Sequence, residues 1–367
     1  MPDFTSSTYL GLRHASVELA PWPQLTTGRP AALLEPPVAR TVARTAAQLV
    51  GCDAALLGTS TLHLAWDLGA WLAPTSSLIV DHSAYPILVS AAERARGRGI
   101  PVTTFDGHDI GRLENLVARA ESQGRQPIIL TDGYCPACRQ VSPLAAYARA
   151  VERARGLVIV DDTQALGVLG TRGTAQSSFG SGGGGALAWS GVRHPRILVV
   201  ASLAKGFGAP LAMLAGSRAV VRSFARASGT RVHCSAPSFA ALHAAARALA
   251  INARDGDAIR ARLSMLIDRF RARMRAAGIR LTRGPFPVQS LEHPRGNDAM
   301  RLHAELARAG VSTVLTGQRG PNSARLTFVL TAAHRPQDID HAASATADAL
   351  ARVAGPRAGR RNQWASA

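Results

Sequence analysis

Four short apolar runs limit what this chain can fold into more than any other feature. They are SSLIVD (76–81), QPIILTD (126–132), GLVIVDD (156–162) and RILVVAS (196–202). Each is continuous and rich in β-branched residues, with no polar alternation. Such runs suit strands buried on both faces of a mostly parallel sheet. Helix-like stretches lie between them, including YPILVSAAERARGRG and PLAAYARAVERARG, both ended by glycine. The alternation predicts a large doubly wound α/β domain over residues 46–245, after an N-terminal segment 1–45. From 246 the pattern changes to a long arginine-studded helix, the strand-like pieces IRLTRG and ARLTFVLT, and two further helices. This predicts a smaller C-terminal α+β domain over 246–354. Residues 355–367 have no period and are expected to form a mobile tail. SGGGGALAWSG (181–191) reads as a flexible loop, and with no Gly-Lys-Ser/Thr after it, it is not a phosphate loop.

Charge and cysteine usage narrow the function classes. The net charge of +18 invites a nucleic-acid reading. Yet the arginines are spread along the helices, and no basic patch is interleaved with aromatics for base stacking, so no nucleic-acid partner is expected. The start MPDFTSSTYLGL has neither the charged flank nor the apolar core of a signal peptide. The longest apolar stretch is broken by Lys205, several glycines and Pro210, so no membrane span is expected and the reading is a cytoplasmic protein. Cys135 and Cys138 form a lone CxxC in GYCPACRQ. No second pair lies nearby to complete a zinc site, and no metal is expected. The pair is either a redox couple or a chance pairing in a loop after a strand.

Lys205 is the only lysine among the 42 Lys and Arg residues. Arginine can replace lysine in surface charge and most ion pairs, but its guanidinium stays protonated and cannot serve as an amine nucleophile. A lysine amine with a lowered pKa can, and can form a Schiff base. Lys205 also stands just past an apolar strand, in VVASLAKGFG, where α/β sheets collect functional residues. A second signal is GLVIVDDTQALGVLG, which carries a buried strand into Asp161 and Asp162. If the ligand is pyridoxal phosphate, a carboxylate at such a strand end keeps the pyridine nitrogen protonated, so that the ring accepts electrons. An Asp pair can equally cap a helix, and Asp162 suits that role. Ser60 and Thr61 open an apolar-periodic helix whose N-terminal amides can bind phosphate. Tyr85 follows the strand ending at Asp81, where an aromatic can stack on a flat ring or simply fill core.

With these residues in place, the chain resembles the fold-type-I pyridoxal-phosphate enzymes, and most of all the α-oxoamine synthase family, such as the oxononanoate synthases. STYLGLRH, DDTQALGVLG, ASLAKGFG and ARLTFVLTAAHRPQDID are similar to its N-terminal, aspartate, lysine and C-terminal motifs. The resemblance implies that Lys205 links to the cofactor as an imine and later shuttles a proton. Asp161 would pair with the pyridine nitrogen, and Tyr85 would take the place of a ring-stacking histidine. Gln164 would stand where the family has a histidine near the ring hydroxyl. Ser60, Thr61 and Leu62 would lie at the phosphate-binding turn, with Ser202 adding a hydroxyl. Ser235 would reach the phosphate of a neighbouring subunit, which implies a homodimer with its site at the interface.

The departures fall on the substrate side. The family's carboxylate-binding arginine aligns with Thr327, while Arg325 lies two residues earlier on the same face of a strand. Ser7 replaces an asparagine, and Pro136 replaces a serine. The resemblance therefore implies a transferase that forms a carbon–carbon bond at a carbanion derived from an amino-acid-like substrate. The partner would be an acyl or other electrophilic acceptor, in biosynthesis that extends to secondary metabolism. Tyr85 and Gln164 suit an aminotransferase better. A non-catalytic module that keeps the fold for binding is the third reading, and the retained lysine argues against it.

Overall fold

The computed structural model describes residues 2–136, 138–172, 178–317 and 323–354. The strands in chain order are β1 (Ala54–Gly58), β2 (Ser76–Asp81), β3 (Val102–Phe105), β4 (Gln126–Asp132), β5 (Tyr134–Cys135), β6 (Gln140–Val141), β7 (Leu157–Asp161), β8 (Ile197–Ser202), β9 (Ala212–Gly216), β10 (Val288–Arg295), β11 (Val314–Thr316) and β12 (Arg325–Val329). The helices are α1 (Pro37–Leu49), α2 (Thr61–Trp71), α3 (Pro86–Gly97), α4 (Ile110–Ser122), α5 (Leu144–Glu152), α6 (Gly185–Ser190), α7 (Arg218–Ala227), α8 (Gly229–His233), α9 (Phe239–Ala276), α10 (Asn297–Arg308) and α11 (Pro336–Ala354). The chain divides into two compact units. One runs from Leu12 to Asp257, and the other joins the N-terminal residues through Gly11 to the chain from Ala258 onward.

The larger unit is built on a seven-stranded sheet of order β1-β9-β8-β7-β4-β2-β3. The four apolar runs are β2, β4, β7 and β8, which pair in parallel, and β3 adds a further parallel edge strand. β9 is antiparallel to both β8 and β1, so the sheet is mixed but mostly parallel. One face buries Leu78, Ile128, Leu130, Ile159, Leu198 and Val200 against Leu64 and Leu68 of α2, Leu88 of α3 and Phe224 of α7. Burial of side chains this size contributes about 1.5–3 kcal/mol each. α2 and α3 approach closely at Gly69, where a Cβ would lie 2.6 Å from the Ala91 carbonyl oxygen.

The smaller unit has an antiparallel sheet of order β10-β12-β11, carried with α10 and α11. Phe4, Phe270 and Phe328 pack together in its core, with Phe4 stacked on His334 at 4.4 Å between centroids. The expected strand at IRLTRG is reduced to one isolated bridge, Leu281 to Leu291. β10 takes that place, with an alternating burial pattern that its Glu292, Pro294 and Arg295 hide from a reading by apolar runs. The long helix begins at Phe239, ahead of the expected arginine-studded stretch. The segment expected to be a flexible loop at 181–191 instead contains α6, whose N-terminal amide at Ala186 bonds the Asp162 carboxylate at 3.1 Å from each oxygen. The tail expected over 355–367 lies outside the described residues. Among the described residues no helix is long and apolar enough to cross a membrane.

Candidate active site

Parallel strands gather their carboxyl ends at one edge of a sheet, and here three of them end in aspartate. Asp81 closes β2, Asp132 closes β4 and Asp161 closes β7. The register makes Asp132 and Asp161 direct cross-strand partners and sets Asp161 opposite Val200 of β8. Ser202 ends β8, and Lys205 follows in the turn toward β9. Asp81 is used locally: its Oδ1 accepts from the Ser83 N–H and hydroxyl at 2.8 Å, and its Oδ2 from the Thr131 hydroxyl at 3.0 Å.

The lysine turn is held by its own backbone. The N–H groups of Phe207 and Ala209 both reach the Leu203 carbonyl at 3.2 Å, and the Leu203 N–H reaches the Leu211 carbonyl at 2.8 Å. Glycine at 206 is a steric requirement, since a Cβ there would stand 2.5 Å from the Leu166 carbonyl oxygen in the segment after β7. The lysine segment and the aspartate segment thus pack backbone to backbone. Thr163 joins them as well: its N–H donates to Asp161 Oδ1 at 2.9 Å, and its hydroxyl oxygen accepts from the Ser202 N–H at 3.0 Å. Ser202 Oγ accepts from the Ala204 N–H at 3.2 Å.

Electrostatics follow from burial. Desolvation pushes the Asp161 carboxyl up, while its hydrogen bonds from Thr163 and the charge of Lys205 pull it back down. Asp132 is pushed up to about 8 by burial and then by the neighbouring Asp161, against the Tyr85 N–H that its Oδ1 accepts at 3.1 Å. Burial lowers the Lys205 amine from its ordinary value, and Asp161 and Asp132 oppose that shift. Lys205 Nζ stands 5.2 Å from the centroid of the Tyr85 ring. An amine, a buried carboxyl pair and an aromatic face therefore share one end of the sheet. Together they can hold a flat, cationic, carbonyl-bearing ligand.

Among the other expected residues, Gln164 is half-buried in the turn after β7. Ser60 caps α2, accepting the His63 N–H at 3.3 Å, and its hydroxyl lies 2.7 Å from His63 Nδ1. Thr61 is buried at the helix start, and Leu62 is exposed beside it. Ser235 is exposed and bridges to Pro30. Ser7, Arg325 and Thr327 all belong to the smaller unit. Arg325 opens β12 opposite Thr316. Thr327 is fully buried, with its hydroxyl 2.8 Å from Ser290 Oγ and 2.6 Å from Thr316 Oγ1. Asp132 and Thr163 belong to the site but not to the residues that the sequence motifs single out. Asp132 had a visible signal, because QPIILTD ends like SSLIVD and GLVIVDD, on an acid at the close of an apolar run.

A family model described as aminotransferase class I and II matches residues 31–345. The 8-amino-7-oxononanoate synthase of Alkalilimnicola ehrlichii is 30% identical over 246 residues, covering 65% of this chain and 60% of that protein. The synthase of Dechloromonas aromatica is 28% identical over 265 residues, covering 72% of this chain and 65% of that one. The chain thus aligns with less than two thirds of the length of these curated relatives. Among solved structures, an 8-amino-7-oxononanoate synthase from Francisella tularensis superposes with a TM-score of 0.72 at 19% identity, over 95% of this chain and 97% of that one. A serine palmitoyltransferase from S. paucimobilis gives a TM-score of 0.82 at 13% identity, over 96% and 88%. At these identities the structural likeness concerns the fold.

Proposed function

Because the chain belongs to the aminotransferase class I and II family, we propose that it is a pyridoxal-phosphate-dependent transferase. It joins an amino-acid-like substrate to an acyl thioester or other electrophilic acceptor through a new carbon–carbon bond. The observation that carries this reading is the only lysine of the chain, partly desolvated, facing an aromatic ring and electrostatically coupled to a buried aspartate. Its relatives among oxononanoate synthases, and its fold likeness to a serine palmitoyltransferase, favour condensation over transamination.

The donor set fits the cofactor. Lys205 offers an amine for the aldehyde, and Asp161 offers an anion whose burial cost a pyridinium N–H would offset. Tyr85 offers a face for the ring, in the place the family gives to histidine. The start of α2 offers amides and the Ser60 and Thr61 hydroxyls for the phosphate, with Leu62 and Ser202 beside that role. Gln164 would lie near the ring hydroxyl. When bound, pyridoxal phosphate supplies an electron sink that stabilises negative charge at the substrate carbon next to nitrogen.

The chain's own residues do the rest. Burial shifts the Lys205 amine downward and so favours the unprotonated form, in which Nζ can accept a proton from substrate and return it. Thr163 orients Asp161 through its N–H. Asp132 fixes the start of α3 by accepting the Tyr85 N–H, which sets the ring above Nζ. Arg325, with Ser7 and Thr327, is proposed on the substrate side. The protein is further proposed to be a cytoplasmic homodimer in which Ser235 serves the neighbouring subunit's phosphate.

Two measurements test the reading. Borohydride added with pyridoxal phosphate should fix the cofactor on the single peptide that carries Lys205, and in the Lys205→Ala variant borohydride should fix none on that peptide. A thioester supplied with an amino substrate should release free thiol, whereas the amino substrate alone should yield no oxo acid. Oxo acid from the amino substrate alone would establish an aminotransferase instead. Labelling at the N-terminal amine, with Lys205 untouched, would end the cofactor assignment.

A further inference from the structure

Two thiols that this chemistry does not use meet in the hairpin just after Asp132. β5 and β6 pair Tyr134 with Val141 and Cys135 with Gln140. Cys138 lies in the connecting turn and donates its N–H to Cys135 Sγ at 3.0 Å, and the two sulfurs are 2.6 Å apart. The Arg139 N–H bonds the Cys135 carbonyl at 2.6 Å, and Arg139 holds φ at +60°, a left-handed conformation that costs a side-chain-bearing residue energy. A turn kept tight at that cost holds the sulfurs together. An approach of about half an ångström brings them to bonding distance.

The two thiols differ in access. Cys135 is 5% exposed and Cys138 is half-buried. Burial, then the contact with Cys138, pushes the Cys135 thiol up to about 12. The accessible thiol is therefore the entry point and the buried one its resolving partner, since access helps decide which thiol is attacked from outside. The hairpin is anchored to the acidic strand end: the Ser142 hydroxyl donates to the Asp132 carbonyl at 2.7 Å, and the Ser142 N–H to the Gly133 carbonyl at 3.2 Å.

We propose that Cys135 and Cys138 form a redox-active pair that small-molecule disulfides convert to an intramolecular disulfide and small-molecule thiols restore. Cys138 gives up its proton and its sulfur attacks one sulfur of the external disulfide. A mixed disulfide forms, and the first external thiolate leaves and takes up that proton. Cys135 then gives up its proton and attacks Cys138 Sγ, closing the protein disulfide and expelling the second external thiol. The pair loses two electrons and two protons, and the external disulfide gains both.

The test equilibrates the full-length protein across mixtures of oxidised and reduced glutathione, quenches with an alkylating reagent, and weighs the peptide holding both cysteines. The disulfide fraction should rise from one tenth to nine tenths over roughly an eightyfold change in the ratio of oxidised to squared reduced glutathione, and fall back on reversal, as one two-electron exchange demands. Cys52 and Cys234 should remain alkylated throughout. In Cys135→Ser, a glutathione adduct should accumulate on Cys138. Complete alkylation of both thiols at the most oxidising ratio, or a wild-type protein that stops at the adduct on Cys138, would overturn the proposal.

Discussion

Asp132→Asn removes one ionisable group from the acidic pair and keeps an oxygen to accept the Tyr85 N–H. In the native fold the carboxyl titrates at about 8, raised first by burial and then by Asp161. In the unfolded chain it titrates near its ordinary value of about 3.9. Between those values the folded state holds a proton that the unfolded state has lost. Stability must then fall as pH rises, by up to about 1.4 kcal/mol per pH unit for this group, and level off above pH 8. Asp132 is only 7% exposed, so bulk screening takes little away, though local relaxation takes some. From pH 6 to pH 8 the wild-type protein should lose about 1–3 kcal/mol relative to Asp132→Asn. Above pH 9 the two should run in parallel, with the variant the more stable. Urea denaturation of the cofactor-free proteins at pH 6, 7, 8 and 9 measures this. Parallel curves from pH 6 to pH 8, or a wild type that gains on the variant as pH rises, would refute the proton-bearing acid at 132.

Other expectations are simpler. Tyr85→Leu should weaken cofactor retention two- to tenfold in equilibrium dialysis, because a ring contact contributes about 0.5–1.5 kcal/mol. Gly133→Ala should destabilise the fold by about 1–3 kcal/mol in a thermal melt, because its Cβ would meet Asp162 Oδ1 and the Ala186 side chain. Thr327→Val should cost about 1–3 kcal/mol through the lost bonds to Ser290 and Thr316, with the cofactor band unchanged. Its effect on substrate KM then tests the proposed substrate side separately from stability.

The parts of the fold that were legible in the sequence are those buried on both faces. β2, β4, β7 and β8 announce themselves as unbroken apolar runs because helices cover both sides of the sheet. β9 is just as buried, but its AMLAG lies inside a longer glycine-, proline- and alanine-rich stretch that gives no strand boundary. β10 buries only Gln289 and Leu291 among otherwise polar and half-exposed residues, so it reads as polar chain. At the site, Lys205 was legible through its chemical uniqueness and Asp161 through its strand. Asp132 gains its meaning from register with Asp161, a relation between residues far apart in the chain that no local pattern encodes.

The antiparallel course of β9 has a consequence for how tolerant this region is. A parallel neighbour would demand a long crossover, where added residues disappear into a loop. Here the chain reverses within the nine residues 203–211, and pairing resumes at Ser202 with Ala212 and Ala201 with Met213. An extra amino acid in the buried part of this turn, around Leu203, Gly206, Phe207 and Ala209, has little room. Either the turn bulges and swings the amine sideways, or β9 slips by one position and presents its opposite face to the core. Length, as strictly as identity, is therefore what natural variation and protein engineering must preserve between these two strands.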